Sequence, residues 1–271
     1  MTRRYDTVSF LSDFGLEDEF VGVVRSVIRS AAPHVTVIDI THGVPAHDVR
    51  AGSLALVRSV QYLAPGVVLA VVDPGVGTDR RAVAVEVGAA GEGVFVGPDN
   101  GLLAGAVAMV GGATRAVELT DTRFHLEAPG ATFAGRDVFA PVVAHLCNGG
   151  DLFELGPPID PITLRPGLLP LTRSEDGKLL SEVLWVDHFG NAQLNVDPGD
   201  LAAMGDRISL RWGTGQVRTG RLAGNYAELK AGEVGLVVDS YGLVSVALDR
   251  MSAAEELKLR PGDAVSLEAA S

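Results

Sequence analysis

The sequence predicts an α/β protein: an N-terminal, mostly parallel α/β sandwich domain followed by a smaller C-terminal β-barrel domain. Three observations predict it. Strand-like and helix-like stretches alternate through the first half, and strands separated by helices of about 10–15 residues signal a mostly parallel sheet. Between Asp151 and Arg173 the periodicity fades and Pro157, Pro158, Pro161, Pro166 and Pro170 crowd into one stretch. Beyond it, short strands follow one another with a single short helix among them, the pattern of a small barrel or sandwich. At 271 residues the chain has reached the size at which one core stops growing and a second becomes the rule. We therefore place an N-terminal domain at 1–160, a linker at 161–177 and a C-terminal domain at 178–271.

In order, Thr7–Ser12 is an apolar strand that ends in Ser12-Asp13-Phe14-Gly15. Phe20, Val23, Val24, Val27, Ile28 and Ala31 recur with a helical period, closed by Pro33. Val35–Ile40 is a second strand, and Asp48 caps a second helix carrying Leu54, Val57 and Val60. Gly66–Asp73, Ala82–Val87 and Gly93–Gly97 are further strands, the last leading through Pro98-Asp99-Asn100-Gly101 into a short helix with Leu103 and Val107. Ala116–Leu119 is strand-like, and Thr132–Asp137 opens a helix through Phe139, Val142, Val143 and Leu146 that Gly149 stops. The second half offers strands at Glu182–Asp187, Ala192–Val196, Arg207–Trp212, Val217–Leu222, Glu233–Ser240 and Leu243–Leu248, with a helix near Ser252–Leu257.

Composition narrows the function. A net charge of −12, from 34 acidic against 22 basic residues, argues against sequence-independent binding of nucleic acid. No apolar run approaches the roughly 20 residues of a membrane span. The N-terminus enters strand-like sequence at once, so no signal peptide is expected, and the lone Cys147 suits a reducing cytoplasm. The histidines lack metal-ligand spacing, and neither a G-x-G-x-x-G, a Walker A nor a G-x-S-x-G sequence is present. Cys147, beside His145 in a helix, has no activating neighbour. Neither a metal nor a covalent nucleophile is expected.

The chemistry gathers at strand ends. Val71–Ala82 reads VVDPGVGTDRRA: a buried run delivers Asp73 to a glycine-rich turn, and Arg80 and Arg81 follow. Asp13, Asp39 and Asp73 all sit at expected strand ends, which in a parallel sheet share one edge, so Asp13 and Asp73 fit one crevice. Such a carboxylate takes the two hydroxyls of a ribose, or it caps a turn. Asp187-His188-Phe189-Gly190-Asn191 surrounds a glycine turn with groups that stack on and hydrogen-bond to a flat heterocycle, or simply joins two strands. Asp239-Ser240-Tyr241-Gly242 is a similar case.

Eight stretches together resemble one family from end to end. They are FLSDFG (Phe10–Gly15), IDITH (Ile38–His42), HDVRAG (His47–Gly52), VVDPGVG (Val71–Gly77), VGPDNGLL (Val96–Leu103), TFAGRDVFAP (Thr132–Pro141), DHFGNAQLN (Asp187–Asn195) and NYAEL (Asn225–Leu229). The chain thus resembles the S-adenosyl-L-methionine (SAM) hydroxide adenosyltransferases, relatives of fluorinase and chlorinase. The resemblance implies a homotrimer in which SAM, a substrate and not a cofactor, sits between the N-terminal domain of one subunit and the C-terminal domain of its neighbour. It implies attack of water on the ribose C5′, giving adenosine and L-methionine. Asp13 resembles the ribose-binding carboxylate, while Asp73 and Arg80 resemble two members of an Asp–Arg–His trio that handles water. The implied substrate contacts are Asp13, Phe14, His47, Phe133 and Gly135, with Asp187, Phe189, Asn191, Ser240 and Arg250 from the neighbour. The chain departs from the pattern at Ala134, where the family's hydrolases carry histidine. Halogenating relatives also lack that histidine but replace the aspartate equivalent to Asp73, whose negative charge repels halide. Halide transfer, and a SAM- or adenosine-binding protein with weak chemistry, are the alternatives.

Overall fold

The computed structural model describes residues 5–88 and 93–270. The chain forms two compact units that part between Leu168 and Leu169.

The first unit holds β1 (Thr7–Ser12), α1 (Phe20–Ala31), β2 (Thr36–Thr41), α2 (Val49–Ser59), β3 (Val67–Val71), β4 (Ala82–Val87), β5 (Gly93–Pro98), α3 (Ala104–Met109), β6 (Ala113–Glu118), α4 (Ala140–Cys147) and β7 (Pro158–Ile159). They build a seven-stranded sheet in the order β2-β1-β3-β5-β4-β6-β7. The pairings among β2, β1, β3 and β5 are parallel. Those crossovers from β1 to β2 and from β2 to β3 carry helices, as parallel pairing requires. The β4–β5, β4–β6 and β6–β7 pairings are antiparallel, so β4 reverses the sheet's direction toward one edge.

Alternation along the central strands sorts two apolar layers. Val8 and Phe10 of β1 and Val67, Leu69 and Val71 of β3 pack with Val24 and Ile28 of α1 and Val142, Val143 and Leu146 of α4. Leu11, Val68, Ala70 and Val72 face the other way, against Leu56 of α2 and Ala106 and Val107 of α3. The sheet is covered on both faces, which is why β3 reads as an unbroken apolar run. Asp48 caps α2 as expected, its carboxylate accepting the Ala51 N–H at 2.8 Å.

Two expectations are corrected. Asp39 lies inside β2, two residues before its end, and not at a strand terminus. Its strand is the sheet edge, where Asp39, in register with Phe10 on the side that α1 covers, meets Arg25 Nη1 at 3.2 Å. The helix expected from Thr132–Asp137 onward begins as a π-helical turn, Gly135–Phe139, and becomes α-helical only at Ala140. Such widened turns cluster at functional sites. The proline-rich stretch is also tied down: Arg81 Nη1 reaches Thr163 Oγ1 at 3.2 Å, and the Arg165 N–H reaches Asp99 Oδ1 at 2.8 Å.

The second unit holds β8 (Arg173–Glu175), β9 (Lys178–Val186), β10 (Ala192–Leu194), β11 (Arg207–Trp212), β12 (Gln216–Ala223), β13 (Val234–Val238), β14 (Val244–Ala247), α5 (Ala253–Leu257) and β15 (Ala264–Ala269). Strands run β9-β10-β14-β13-β12-β11-β15 and back to β9, a closed seven-stranded barrel with β8 added on β9. β15, which the sequence analysis does not name, closes the ring between β11 and β9. Leu194, Leu210, Leu236, Val246 and Leu267 fill its interior. Among the described residues no helix is long and apolar enough to cross a membrane.

Two glycines test this packing in opposite directions. A Cβ at Gly97 of β5 would lie 2.2 Å from the Ala70 carbonyl of β3, whereas one at Gly22 on α1 would meet nothing within 4 Å. Gly97→Ala is expected to lower stability by about 1–3 kcal/mol. Gly22→Ala is expected to raise it by roughly 0.5–1 kcal/mol. Urea unfolding midpoints of the two variants check both signs.

Candidate active site

The apolar run of β3 continues through Val72, and Asp73 follows as the first charged residue past the strand end. The turn after it folds back on itself. The Val76 N–H reaches the Asp73 carbonyl at 3.2 Å, Thr78 Oγ1 donates to the Gly75 carbonyl at 2.6 Å, and Gly77 takes φ +77°. That reversal returns Arg80 to Asp73. Arg80 Nε lies 2.9 Å from each carboxylate oxygen, and Nη2 also donates to Oδ2. The pair is largely dry, with the Asp73 and Arg80 side chains 5% and 15% exposed. The Arg80 guanidinium lies 5.5 Å from the ring centre of buried Phe139.

Arg81, adjacent in sequence, serves the fold. Its Nε donates to Asp99 Oδ2 at 2.9 Å, while Asn100 Nδ2 holds the Val72 carbonyl at 2.9 Å. The Gly97–Leu103 stretch therefore buttresses the Asp73 turn from behind.

Asp13 follows β1 on the same sheet edge. Its Oδ2 accepts the His47 N–H at 2.8 Å, which holds His47 in the left-handed region at φ 68°, uncommon for a side chain of this size. Asp13, Phe14, His47, Asp73, Phe133, Ala134 and Gly135 all line one cleft of about 260 Å³, so the structure brings together every first-half contact expected from the sequence. Arg80 stands behind it through Asp73. Phe20, Ala46, Val71, Val76 and Thr132 also line it. Phe14, Phe20 and Phe133 form an aromatic wall, with ring centres 5.0–6.0 Å apart. Gly135 lets the rings close in, since a Cβ there would approach Phe14 Cζ to 3.0 Å and the ring would have to give way.

In the second unit, Asp187, Phe189, Asn191 and Ser240 line a separate hollow of about 460 Å³. The Asp187 carboxylate accepts the Phe189 N–H at 2.9 Å, and the Asn191 N–H and Nδ2 each at 2.8 Å. Asp239 accepts from Gln193 Nε2 at 2.7 Å and Ser245 Oγ at 2.9 Å. Tyr241, from the Asp239–Gly242 group, Tyr226, from the NYAEL stretch, and Trp185, which the sequence did not single out, complete the wall. Burial, then the charges of Asp187 and Asp239, push the Tyr226 hydroxyl's pKa above its ordinary value. Arg250, expected near this group, does not line the hollow, and its side chain is 93% exposed. Trp185, Gln193 and Ser245 stand opposite one another across β9, β10 and β14, a row fixed by register, which residue spacing alone does not reveal.

Among the described residues no three His, Cys, Asp or Glu side chains converge as a metal site would need. Burial, reinforced by the charge of Asp6, pushes the Cys147 thiol up to about 12.

Comparison with known proteins follows the two units. The SAM hydroxide adenosyltransferase N-terminal domain model matches residues 8–156, and the C-terminal domain model residues 181–266. The chain is 44% identical over 263 residues to an (R)-S-adenosyl-L-methionine hydrolase of Salinispora tropica, covering 97% of each chain. A fluorinase of an Actinoplanes species is more distant, 28% identical over 288 residues and covered over 96% of each. Among solved structures, an uncharacterised conserved protein from Thermotoga maritima superposes with a TM-score of 0.86 at 32% identity, over 96% of this chain and 99% of that one.

The raised thiol pKa yields a direct check. Cys147 is fully buried, and its raised pKa keeps the thiolate, the reactive form, scarce at pH 8. Iodoacetamide is expected to leave the native protein unmodified for hours and to alkylate it within minutes in 8 M urea (about that concentration), as intact mass will record.

Proposed function

As the chain belongs to the SAM hydroxide adenosyltransferase family, we propose that it hydrolyses S-adenosyl-L-methionine to adenosine and L-methionine. The observation that carries this reading is the dry Asp73–Arg80 pair, whose carboxylate lines the same aromatic cleft as Asp13. A sulfonium already bears its positive charge, so it leaves without a proton donor. What the reaction needs is a held water and a fixed line from that water through C5′ to sulfur.

The parts take these roles. Asp13, with one oxygen engaged by the His47 N–H, turns its remaining acceptor sites to the ribose hydroxyls. The Phe14, Phe20 and Phe133 wall covers the apolar side of the substrate and excludes bulk solvent. Arg80 engages Asp73 through Nε and Nη2, which fixes the direction of the carboxylate that meets the attacking water. The water gives a hydrogen bond to Asp73. As its oxygen bonds to C5′, the C5′–S pair of electrons moves to sulfur and neutralises it, and the water's proton passes to the Asp73 carboxylate. Ala134 puts a methyl group where an imidazole would otherwise share that task, so Asp73 and Arg80 carry it alone.

The rest of the substrate belongs to a neighbouring copy in this proposal. A cleft of about 260 Å³ falls below the roughly 300–1,000 Å³ typical of a small-molecule site. The hollow of the second unit supplies what the cleft lacks: Phe189 and Asn191 for a heterocycle, with Asp187 and Ser240 for a charged amine. Arg250, 3.8 Å from Asp249, is the cation for a carboxylate. We propose a homotrimer that joins these halves across subunits, in keeping with the family resemblance.

The test is incubation with SAM, including the R sulfonium form named for the relatives, with and without chloride. Adenosine and methionine as products support the reading. A 5′-chloro nucleoside, or intact SAM, overturns it. Asp73→Asn is expected to reduce kcat by roughly 10²–10⁴-fold with KM little changed, since the amide keeps the shape but cannot take the proton. Ala134→His is expected to raise adenosine formation, up to the roughly 10²–10⁴-fold worth of acid–base assistance. Its pH–rate profile should gain a limb near an ordinary histidine pKa of about 6.5 that the parent lacks.

A further inference from the structure

Behind Asp13 lies a buried polar chain that the proposed chemistry does not use. We infer that His42, acting through Ser12, is a positioning residue for the Asp13 carboxylate. The inference rests on the reading of the cleft given above and goes beyond it to a residue that lines no part of the cleft.

Ser12 ends β1 with no exposed surface, and His42 follows β2 at 4% exposure. Ser12 Oγ lies 2.7 Å from His42 Nδ1 and accepts the Phe14 N–H at 3.3 Å. On the ring's far side, Nε2 lies 3.3 Å from Asp39 Oδ1, off the line of a hydrogen bond, and Asp39 Oδ2 is held by Arg25. A carboxylate beside Nε2 favours the tautomer with the proton there, because the alternative sets lone pair against lone pair. Nδ1 is then the acceptor, and the single hydroxyl proton of Ser12 goes to it. The Phe14 N–H and the Ser12 hydroxyl each have an acceptor, while the Nε2–H faces Asp39 Oδ1 without hydrogen-bond alignment.

His42 grips the same four residues a second time. Its carbonyl accepts the Gly15 N–H at 2.9 Å, where Gly15 adopts φ +68°. Its ring meets Phe10 edge to face, with centroids 4.6 Å apart. Between the two grips stands Asp13, whose own N–H goes to the Val71 carbonyl at 3.3 Å. The direction of its carboxylate is therefore set by a buried imidazole just past the end of the neighbouring strand. A nucleophilic triad is a different arrangement. Here the serine is sealed from the cleft and pairs with Nδ1, so it reaches no substrate atom.

The test uses the full chain with five variants: His42→Leu, His42→Asn, His42→Gln, Ser12→Ala and the Ser12→Ala/His42→Leu double variant. Each is assayed for SAM turnover, for adenosine binding by calorimetry and for thermal unfolding. Leaving the Ser12 hydroxyl without its acceptor in His42→Leu, or Nδ1 and the Phe14 N–H without a partner in Ser12→Ala, is expected to raise KM for SAM and Kd for adenosine roughly tenfold, with kcat within about threefold. His42→Asn places an acceptor where Nδ1 stands and is expected to restore near-parental KM. His42→Gln reaches only the Nε2 position and is not. The Ser12→Ala/His42→Leu double variant is expected to be no worse than the poorer single one, since both cut one path. Equal impairment of His42→Asn and His42→Leu overturns the inference, as does a loss of kcat at unchanged KM, which packing alone would give. If His42→Leu does not fold, Ser12→Ala against His42→Asn makes the same comparison. A parent that binds adenosine but leaves SAM intact removes the hydrolytic reading alone, because the adenosine arm still tests the positioning role.

Discussion

The buried pairing of Asp73 with Arg80 is the interaction on which the first unit's design depends. Taking a carboxylate and a guanidinium out of water costs several kcal/mol for each ion, and only close, multidentate geometry offsets it. Strand β3 is covered on both faces, so a charge fits only beyond its last residue. The turn that follows must then reverse within a few residues to return an arginine, which is what Gly77 and the Thr78 hydrogen bond accomplish. A second pair, Arg81 with Asp99, anchors the far side of that turn, and Asn100 holds the Val72 carbonyl. Asp13 is fixed by the same logic from the next strand, through His47 in front and Ser12 and His42 behind.

Much of this was legible in the sequence because strand ends announce themselves. An apolar run that stops on Asp before glycine and proline marks both the sheet edge and the charge placed there, and for Asp13 and Asp73 this sufficed. The same rule misled at Asp39, since the edge strand β2 is partly exposed along its length and tolerates a charge before its end. Phe20 was readable as part of a helical stripe, but its position at the first turn of α1 lets it join the aromatic wall instead. The π-helical turn at Gly135–Phe139 left no mark in the residue pattern, because a single widened turn keeps the helical period on either side. In the second unit, the row of Trp185, Gln193 and Ser245 depends on strand register, a long-range property. The Asp99-Asn100 stretch read only as a turn into α3, and its part as a support for the Asp73 turn shows only in its hydrogen bonds.

The two sheets also differ in how they end. The barrel closes through β9 and β10 and leaves no strand in its ring with an unpaired flank. The open sheet has two borders. β7 is only two residues long and begins with Pro158, which has no N–H to offer. β2 is six residues long, with Ile38 44% exposed on it, and its Arg25–Asp39 pair is the charge that discourages another strand from adding there. If Asp39 were neutralised, that border would become an adhesive edge. Concentrated solutions of such a protein would then be lost to strand-to-strand association while the folded core remained sound.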